Sequence, residues 1–179
     1  SPEPPGAGEG SVTYAYPNDE WTVGVVARGK DGMDPIRCVL TFTTPPLKAE
    51  VEVTGPIVLE LYASSDQTDT DFIVRLADQS PQGEQDRTAG MQPASVNVTK
   101  GWLKASHREK DEARSTAHRP FHTHANPQPL TPGEVYKFEI EVHPASYVFK
   151  AGHRIRLEVV NGDSTFTDGN FSHLYLWYK

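Results

Sequence analysis

The stretch VYKFEIEV, residues 135–142, carries the pattern that decides the fold. Apolar and charged side chains alternate along it, and successive side chains of a β-strand point to opposite faces of a sheet. A helix would scatter the same charges around its axis, so the stretch predicts a half-buried strand. The predicted inward positions are Tyr136, Phe138, Ile140 and Val142, and the outward positions are Lys137, Glu139 and Glu141.

Further strands are predicted on both sides of this stretch. The segments with the same alternation are IVLELYAS at 57–64, DFIVRLAD at 71–78 and HRIRLEVV at 153–160. Within 71–78, the pattern sets Phe72, Val74 and Leu76 on one face against Ile73 and Arg75 on the other. Weaker strands are predicted at 37–42 and at 98–108, the second of them weakened or bulged near Gly101.

No segment carries apolar residues at helical spacing, and the 15 prolines and 14 glycines favour short strands joined by turns. The predicted fold class is therefore all-β, with about eight antiparallel strands and little helix. One long excursion interrupts them from about residue 108 to residue 130. One-faced strands must bury that face against another sheet, so we expect a β-sandwich of two antiparallel sheets.

The 179 residues predict one domain with an irregular N-terminal region. Residues 1–11, rich in Pro, Gly and Glu, are expected to be a disordered arm or linker, and 12–37 an irregular arm anchored by Trp21. The sandwich domain is expected to span 38–179. The net charge of −7 argues against a nucleic-acid surface, and no run approaches the roughly 20 apolar residues of a membrane helix. The single cysteine, Cys38, excludes an internal disulfide, and the compartment stays open, with the cytoplasm favoured over secretion.

The densest group of metal-ligating side chains lies in RPFHTHANPQP, residues 119–129. On a strand, His122 and His124 would point to the same side and could chelate zinc or copper, with His118 or a distant carboxylate as a third ligand. Three prolines make the segment an extended loop, however, and no carboxylate lies within it. A structural or interface loop is therefore favoured over a metal site.

A catalytic triad can be assembled by residue type from Ser164, Asp168 and His173. These residues lie within ten positions of one another, where any β protein offers such coincidences. The nucleophile elbow G-x-S-x-G is missing from the sequence. The triad is therefore disfavoured.

A calcium site is a further candidate at SSDQTDTDF, where Asp66, Asp69 and Asp71 are closely spaced. The twelve-residue EF-hand pattern is missing. Short acidic loops before a strand usually satisfy their own backbone instead. Calcium binding is therefore disfavoured as well.

Exposed aromatic side chains on a β-sandwich can stack against a sugar. The candidates are Trp21, Trp102, Trp177 and Tyr175. Aromatic side chains such as these can equally be buried in the core or at the rims of a domain of this size. A carbohydrate- or ligand-binding module is therefore kept as an alternative function.

Longer stretches, taken in order, carry a family resemblance. Residues 39–78 contain an x-P-L turn, a V-T-G-P strand, and S-S-D followed by D-T-D-F. The segment GWLKASHRE, 101–109, resembles the pattern G-x-x-R-A-x-x-R-E with Lys104 in place of Arg. Residues 130–163 add L-T-P-G-E, an x-P-x-x-x-V-F turn and a strand like G-H-R-L-R-L. From about 38 to 173 the sequence resembles the C-terminal domain of the X-Pro dipeptidyl-peptidase and cocaine esterase family of serine hydrolases.

This resemblance implies a jelly-roll β-sandwich, similar to galactose-binding-like domains, that packs against an α/β-hydrolase domain. The Ser, Asp and His triad of the family belongs to that hydrolase domain, so no residue of this sequence is expected to be catalytic. No metal and no cofactor are expected either. Enzymes of the family cleave ester or amide bonds of small acyl substrates, including X-Pro dipeptides, α-amino acid esters and cocaine. Their C-terminal domain helps to wall the active-site region.

The resemblance also assigns a role to the loop RPFHTHANPQP, since family members carry a similar Arg-Pro-aromatic-His stretch in the same connection. The residues expected to face the hydrolase domain are Arg119, Phe121, His122 and His124. Family members usually continue beyond the final WYK with a segment that adds a closing strand. Loss of that strand would leave a sheet edge unpaired, and the chain could then form homo-oligomers through the edge or through the domain interface.

Overall fold

A computed structural model describes residues 5–6, 8–13, 40–83 and 94–161 of the chain. Within these ranges the chain forms six β-strands and one short 3₁₀ helix, Ala105–His107. The strands are β1 (Leu40–Thr43), β2 (Val51–Ala63), β3 (Asp71–Gln79), β4 (Ser95–Lys104), β5 (Tyr136–Phe149) and β6 (Arg154–Val160). The all-β prediction is therefore confirmed, and each described strand overlaps one of the predicted segments.

Several predictions lie outside the described residues. They concern the anchor Trp21 and the strand position Cys38, the candidate triad Ser164, Asp168 and His173, the aromatic residues Tyr175 and Trp177, and the closing strand. The predicted domain boundaries near residues 11 and 37 also stay predictions. In the part of the chain that is described, no helix has the length and apolar character needed to cross a membrane.

All six strands pair antiparallel, in the order β1-β6-β3-β4-β5-β2. The first four strands and the last two are joined through one pair of Cα partners, Gly101 and Val142. The sheet curls at this join, because Phe72 on β3 and Phe138 on β5 have ring centroids 4.8 Å apart although β4 lies between their strands. The described strands thus form one curled antiparallel sheet that packs on itself, consistent with the predicted sandwich. The jelly-roll connectivity stays a prediction.

Gly101 permits the close approach of β4 and β5. A Cβ at this position would lie 2.1 Å from the main-chain oxygen of Glu141 and 2.8 Å from the Cα of Val142. The predicted bulge lies earlier in β4, where the register with β3 shifts between Leu76 and Ala77. Gly101 thus correctly indicated an irregular part of β4. A glycine is needed there, however, because the main chains of β4 and β5 lie in close contact.

The core lies inside the curl of the sheet. Phe138, Ile140 and Val142 of β5 are 1%, 0% and 2% exposed, which confirms the alternation predicted for this strand. They pack with buried residues of β3, β4 and β6, and with partly buried residues of β2. The main members of this cluster are Phe72, Val74, Leu103, Leu130, Phe138, Ile140, Val142 and Val159, with Ile57, Leu59 and Leu61 against them.

Strand β3 departs from the prediction, because it is buried on both faces. Ile73 and Arg75, predicted to lie opposite the core residues, are 8% and 1% exposed. The strand is central, with β6 on one side and β4 on the other. Arg75 forms an ion pair with Glu158 of β6, with 3.5 Å between Nη1 and Oε2, so the buried guanidinium has a charged partner.

Strands β2 and β5 are both longer than predicted. Strand β5 was expected to end at Val142 before the x-P-x-x-x-V-F turn, but it continues to Phe149. Pairing continues past Pro56 and Pro144 because the register shifts between Gly55 and Ile57, where a missing N–H donor is tolerated. The turn predicted after Val142 was therefore wrong, since this stretch belongs to β5.

Candidate functional site

The first part of the 108–130 excursion folds into a hairpin, residues 109–123. Its arms are joined by two main-chain hydrogen bonds, from Asp111 N to the oxygen of Phe121 at 2.9 Å and from Thr123 N to the oxygen of Glu109 at 3.2 Å. Its tip closes where Thr116 and Arg119 exchange main-chain hydrogen bonds of 3.0 and 3.1 Å. The segment expected to be an extended loop therefore has internal structure of its own.

The hairpin docks on β5 through three side chains. The ring Nε2 of His122 lies 2.9 Å from the main-chain oxygen of Glu139. Lys110 forms an ion pair with the carboxylate of Glu139, and Arg119 Nε lies 3.2 Å from Oε1 of Glu141. The acidic positions that the sequence placed on the outward face of β5 thus serve as the platform for the hairpin.

Charge pairing in this platform shifts two pKa values. The hydrogen bond to Glu139 is the main influence that raises the pKa of Lys110 above its ordinary value. Burial pushes the pKa of Glu139 upward, but the hydrogen bonds and charges of Lys110 and Lys137 outweigh it, so that the pKa is lowered. The Lys110–Glu139 pair therefore stays charged through the neutral range and holds the hairpin electrostatically.

The base of the excursion is anchored more deeply. The guanidinium of Arg108 donates hydrogen bonds to the main-chain oxygens of Ala105 and Gln128, and it lies 4.6 Å from the ring centroid of Tyr136. Leu130 is 4% exposed, and its N–H donates to the oxygen of Thr68. Both ends of the excursion are thus fixed to the rest of the domain, by Arg108 at one end and by Leu130 at the other. The hairpin extends from between these two fixed points.

The four predicted interface residues differ in their surroundings. Arg119 and His124 are exposed, and Arg119 has 74% of its side chain open to solvent. Phe121 is partly buried beneath the guanidinium of Arg114, which lies 3.5 Å from the ring centroid. His122 is partly buried and bonded to β5. His124 is therefore accessible to a partner, and so is most of Arg119, although its Nε pairs with Glu141. His122 contributes to the docking of the hairpin, whereas Phe121 packs against Arg114 within it.

The candidate metal ligands are not brought together as proposed. His118 is exposed at the hairpin tip, whereas His122 and His124 have ring centroids 6.1 Å apart near its base. The third ring in that cluster is His107, whose centroid lies 5.4 Å from that of His124. Among the described residues, no group of three or more His, Cys, Asp or Glu side chains is arranged to hold a metal ion.

The aspartates of the candidate calcium loop have protein partners instead. Asp69 accepts hydrogen bonds from the N–H and the hydroxyl of Ser106 at 2.9 and 2.8 Å. The ammonium of Lys104 lies 3.3 Å from Asp69 and 3.5 Å from Asp71, while Asp66 is exposed. Lys104, which stands where the family pattern has Arg, thus neutralises this loop and ties it to the end of β4.

Trp102, the one candidate sugar-stacking residue in the described part of the chain, lies at the edge of the curl. It is 38% exposed, its ring meets that of His143 edge to face at 5.3 Å, and the ammonium of Lys100 lies 5.7 Å from its centroid. These contacts occupy part of the surface that a sugar would need. The carbohydrate-binding alternative stays a prediction.

One polar cluster was missed from sequence. The carboxylate of Asp78, on β3, accepts a hydrogen bond from Tyr147 at 2.9 Å and lies 2.8 Å from Nδ1 of His153. Asp78 is 4% exposed, and its partners come from β5 and from the turn before β6. The signal available was an Asp at the end of a buried strand, since such a carboxylate requires partners.

The described residues thus form an all-β domain whose polar clusters connect elements of its own fold. Residues 37–171 match a family model described as the X-Pro dipeptidyl-peptidase C-terminal non-catalytic domain. The chain belongs to this family, and the resemblance seen in its sequence is confirmed.

Named relatives are larger hydrolases. The chain is 34% identical over 131 residues to a Mycobacterium bovis protein described as a serine esterase, covering 71% of this chain and 19% of that protein. It is 30% identical over 132 residues to the cocaine esterase of Rhodococcus sp., covering 74% and 19%. A solved CocE/NonD family hydrolase from Staphylococcus aureus shares the fold, with a TM-score of 0.60, 24% identity, and coverage of 70% of this chain and 23% of that one. The chain spans about a fifth of the length of these relatives.

Proposed function

We propose that this chain is the accessory β-sandwich domain of a serine hydrolase, and that it packs on an α/β-hydrolase domain and helps to shape the active-site region. The observation that carries the proposal is the match of residues 37–171 to a non-catalytic domain within relatives about five times as long. The whole enzyme would hydrolyse ester or amide bonds. This follows the relatives, which include a cocaine esterase and Xaa-Pro dipeptidyl-peptidases.

The hairpin is the proposed contact with the hydrolase domain. It is held on β5 by three side chains, it presents Arg119 to solvent near its tip, and the exposed His124 follows it directly. A guanidinium in this position offers planar donors that suit a carboxylate or main-chain oxygens on a partner. The contacts of Arg108 with the main chain of Ala105 and with the ring of Tyr136 would fix the direction in which the hairpin extends.

The first test is turnover by the purified 179-residue chain. We expect no hydrolysis of a nitrophenyl ester or an X-Pro anilide above the buffer rate. The proposal would be overturned by measurable turnover that disappears on substitution of a residue in this chain. Loss of such activity on further purification would instead indicate a contaminant.

The second test asks whether the coding sequence that contains these residues also encodes a G-x-S-x-G motif between a strand and a helix. If it does, the whole enzyme can be compared with its Arg119→Ala variant, with Lys150→Ala as a control exposed on another turn. We expect Arg119→Ala to change KM, or to make the two domains unfold in separate transitions rather than in one. We expect Lys150→Ala to leave both KM and the unfolding transition unchanged. Equal behaviour of the two variants would exclude the hairpin as the contact.

A further inference from the structure

Arg114 lies flat on an aromatic ring of the opposite arm of the hairpin. Its Cζ is 3.5 Å from the ring centroid of Phe121. This is the contact distance of two flat groups that lie face to face, since an N–H aimed at the ring would hold Cζ farther away. The N–H donors of a guanidinium lie in its own plane, so those of Arg114 point sideways past the edges of the ring. The stacking therefore holds the guanidinium without using its donors.

The main chain beneath this stack is held as well. Oδ1 of Asp111 accepts hydrogen bonds from the N–H groups of Ala113 and Arg114 at 3.0 and 3.2 Å. The hydroxyl of Ser115 donates to the main-chain oxygen of Asp111 at 2.8 Å and accepts from the N–H of Phe121 at 2.9 Å. Ser115 thus joins the turn that carries Arg114 to the arm that carries Phe121. Because both members of the stack are already ordered, a partner that binds Arg114 would lose less conformational entropy in doing so.

The guanidinium of Arg114 has no anionic partner among the described residues, and its side chain is exposed. The carboxylates of the hairpin itself are engaged elsewhere: Asp111 with main-chain N–H groups, Glu109 with hydroxyl and amide side chains, and Glu112 with Lys110 at 3.6 Å. The sequence holds 24 Asp and Glu against 17 Lys and Arg, so carboxylates are plentiful in this chain. An ordered guanidinium without one is therefore a feature that calls for a partner.

A second guanidinium on the same hairpin is only partly used. Nε of Arg119 lies 3.2 Å from Oε1 of Glu141, and 74% of the Arg119 side chain is open to solvent. This is the one hydrogen bond of that guanidinium within the described ranges, so its two Nη groups are open to an acceptor. Guanidinium groups bind carboxylates through two parallel N–H···O hydrogen bonds, and arginine is enriched among the residues that dominate binding at protein interfaces.

We propose that Arg114, held on Phe121, anchors the hairpin to a carboxylate on the surface of the hydrolase domain, with Arg119 as a second donor in the same contact. This inference rests on the proposed function and adds the chemistry of the partner surface, which is an Asp or Glu side chain placed to accept two parallel N–H bonds. A nucleic acid or an anionic membrane fits these arginines less well, because the net charge of −7 would oppose its approach.

The experiment is amide hydrogen exchange of peptides from 109–123, measured in the whole enzyme and in the 179-residue chain. We expect these peptides to be better protected in the whole enzyme, and Arg114→Ala to lower their protection there by about tenfold. Arg114→Lys should cause a similar loss, because lysine keeps the charge but lacks the two parallel donors. In the 179-residue chain Arg114→Ala should change protection by less than about twofold. Lys150→Ala, on an exposed turn, is the control that should change neither.

Three results would overturn the arginine contact. The first is an equal loss of protection in the whole enzyme and in the 179-residue chain, since Arg114 would then stabilise only its own hairpin. The second is an Arg114→Lys enzyme that exchanges like the unaltered one, since charge alone would then suffice. The third is self-association of the 179-residue chain, seen by sedimentation and abolished by Arg114→Ala, because the carboxylate would then belong to a second copy.

The same measurement separates this inference from the proposed function. If no part of this domain gains protection in the whole enzyme, the proposed packing fails and the arginine contact fails with it. If the hairpin gains protection that Arg114→Ala leaves in place, the packing stands and only the arginine contact is overturned. Phe121→Leu is a second variant, which removes the platform and leaves both guanidinium groups. We expect it to lower the protection of the hairpin in the whole enzyme in the same direction as Arg114→Ala, and no loss in that variant would contradict the role of the stack.

Discussion

The main-chain oxygen of Glu141 lies 2.1 Å from the place that a Cβ on Gly101 would occupy. These two residues come from strands β4 and β5, which share one pair of Cα partners at this crossing. Beyond it the strands separate, and the hairpin binds the neighbouring part of β5 at Glu139. Glu141 therefore serves both features, since its main chain lies at the close crossing with Gly101 and its side chain pairs with Arg119 of the hairpin.

Substituting Gly101 by Ala should destabilise the domain strongly. The added methyl meets main chain, which cannot turn aside as a side chain can, so β4 and β5 must separate. We expect a loss of about 3 kcal/mol or more in the free energy of unfolding, measured by urea denaturation. The control is Gly10→Ala, where an added Cβ meets nothing within 4 Å. Equal stability of the two variants would show that the crossing can relax.

Asp69 should stabilise the junction between its loop and the end of β4. Burial pushes the pKa of this carboxyl upward, but the hydrogen bonds from Ser106 and the charge of Lys104 together lower it below the ordinary 3.8. We expect Asp69→Asn to cost about 2 kcal/mol in unfolding free energy at pH 7, since two hydrogen bonds to a carboxylate are weakened. The exposed Asp66 supplies the control, and Asp66→Asn should be neutral.

The same residue predicts a pH dependence. Because the folded pKa of Asp69 is lowered, its contribution is complete above the ordinary 3.8 and is lost as the pH falls through that value toward the folded pKa. The difference in stability between Asp69→Asn and the unaltered chain should therefore shrink between pH 5 and pH 3. A difference that stays constant over this range would mean that the carboxylate charge has no part in it.

Lys110 should hold the hairpin without supporting the fold as a whole. Its ion pair with Glu139 is partly exposed, with 21% and 24% of the two side chains open, so screening by water limits its value. We expect Lys110→Gln to lower global stability by less than about 1 kcal/mol and to increase amide exchange in 109–123 severalfold. Lys150→Gln, on an exposed turn, should do neither. A loss of protection spread over all strands would contradict this local role.

The strands could be predicted from the sequence wherever one face is buried and the other is charged. Strand β5 alternates along VYKFEIEV, and the face on which each side chain lies follows from period two alone. Strand β3 was harder, because its central position buries both faces and leaves Arg75 inside. The x-P-x-x-x-V-F stretch was expected to be a turn, but Pro144 lies where a shift of register keeps it within β5. Burial and bulges depend on neighbouring strands, which a single segment does not reveal.

The candidate site could be predicted only in part for the same reason. The excursion and its histidines were recognised, but the metal interpretation grouped His118 with its neighbours in sequence. The structure instead brings in His107 from the end of β4. The docking of the hairpin on Glu139 and Glu141 was also unforeseen, because outward charges on a strand look solvated until another element covers them. Contacts between distant segments were thus the part that pattern reasoning could not supply.

The cluster of Asp78, Tyr147 and His153 predicts an alkaline transition. Burial, followed by the hydrogen bond to Asp78 and its charge, raises the pKa of Tyr147 above the ordinary 10.0. The contribution of this phenol to the stability of the fold is therefore complete below about pH 10 and is lost as the pH rises through its folded pKa.

In the Asp78→Asn variant the negative neighbour is removed, so the pKa of Tyr147 should fall. Phenolate absorbance measured against a Tyr147→Phe reference isolates this residue, and Asp66→Asn serves as the control that should leave its titration in place. A Tyr147 titration that is the same in Asp78→Asn and in the unaltered chain would show that burial alone, and not the carboxylate, sets its pKa.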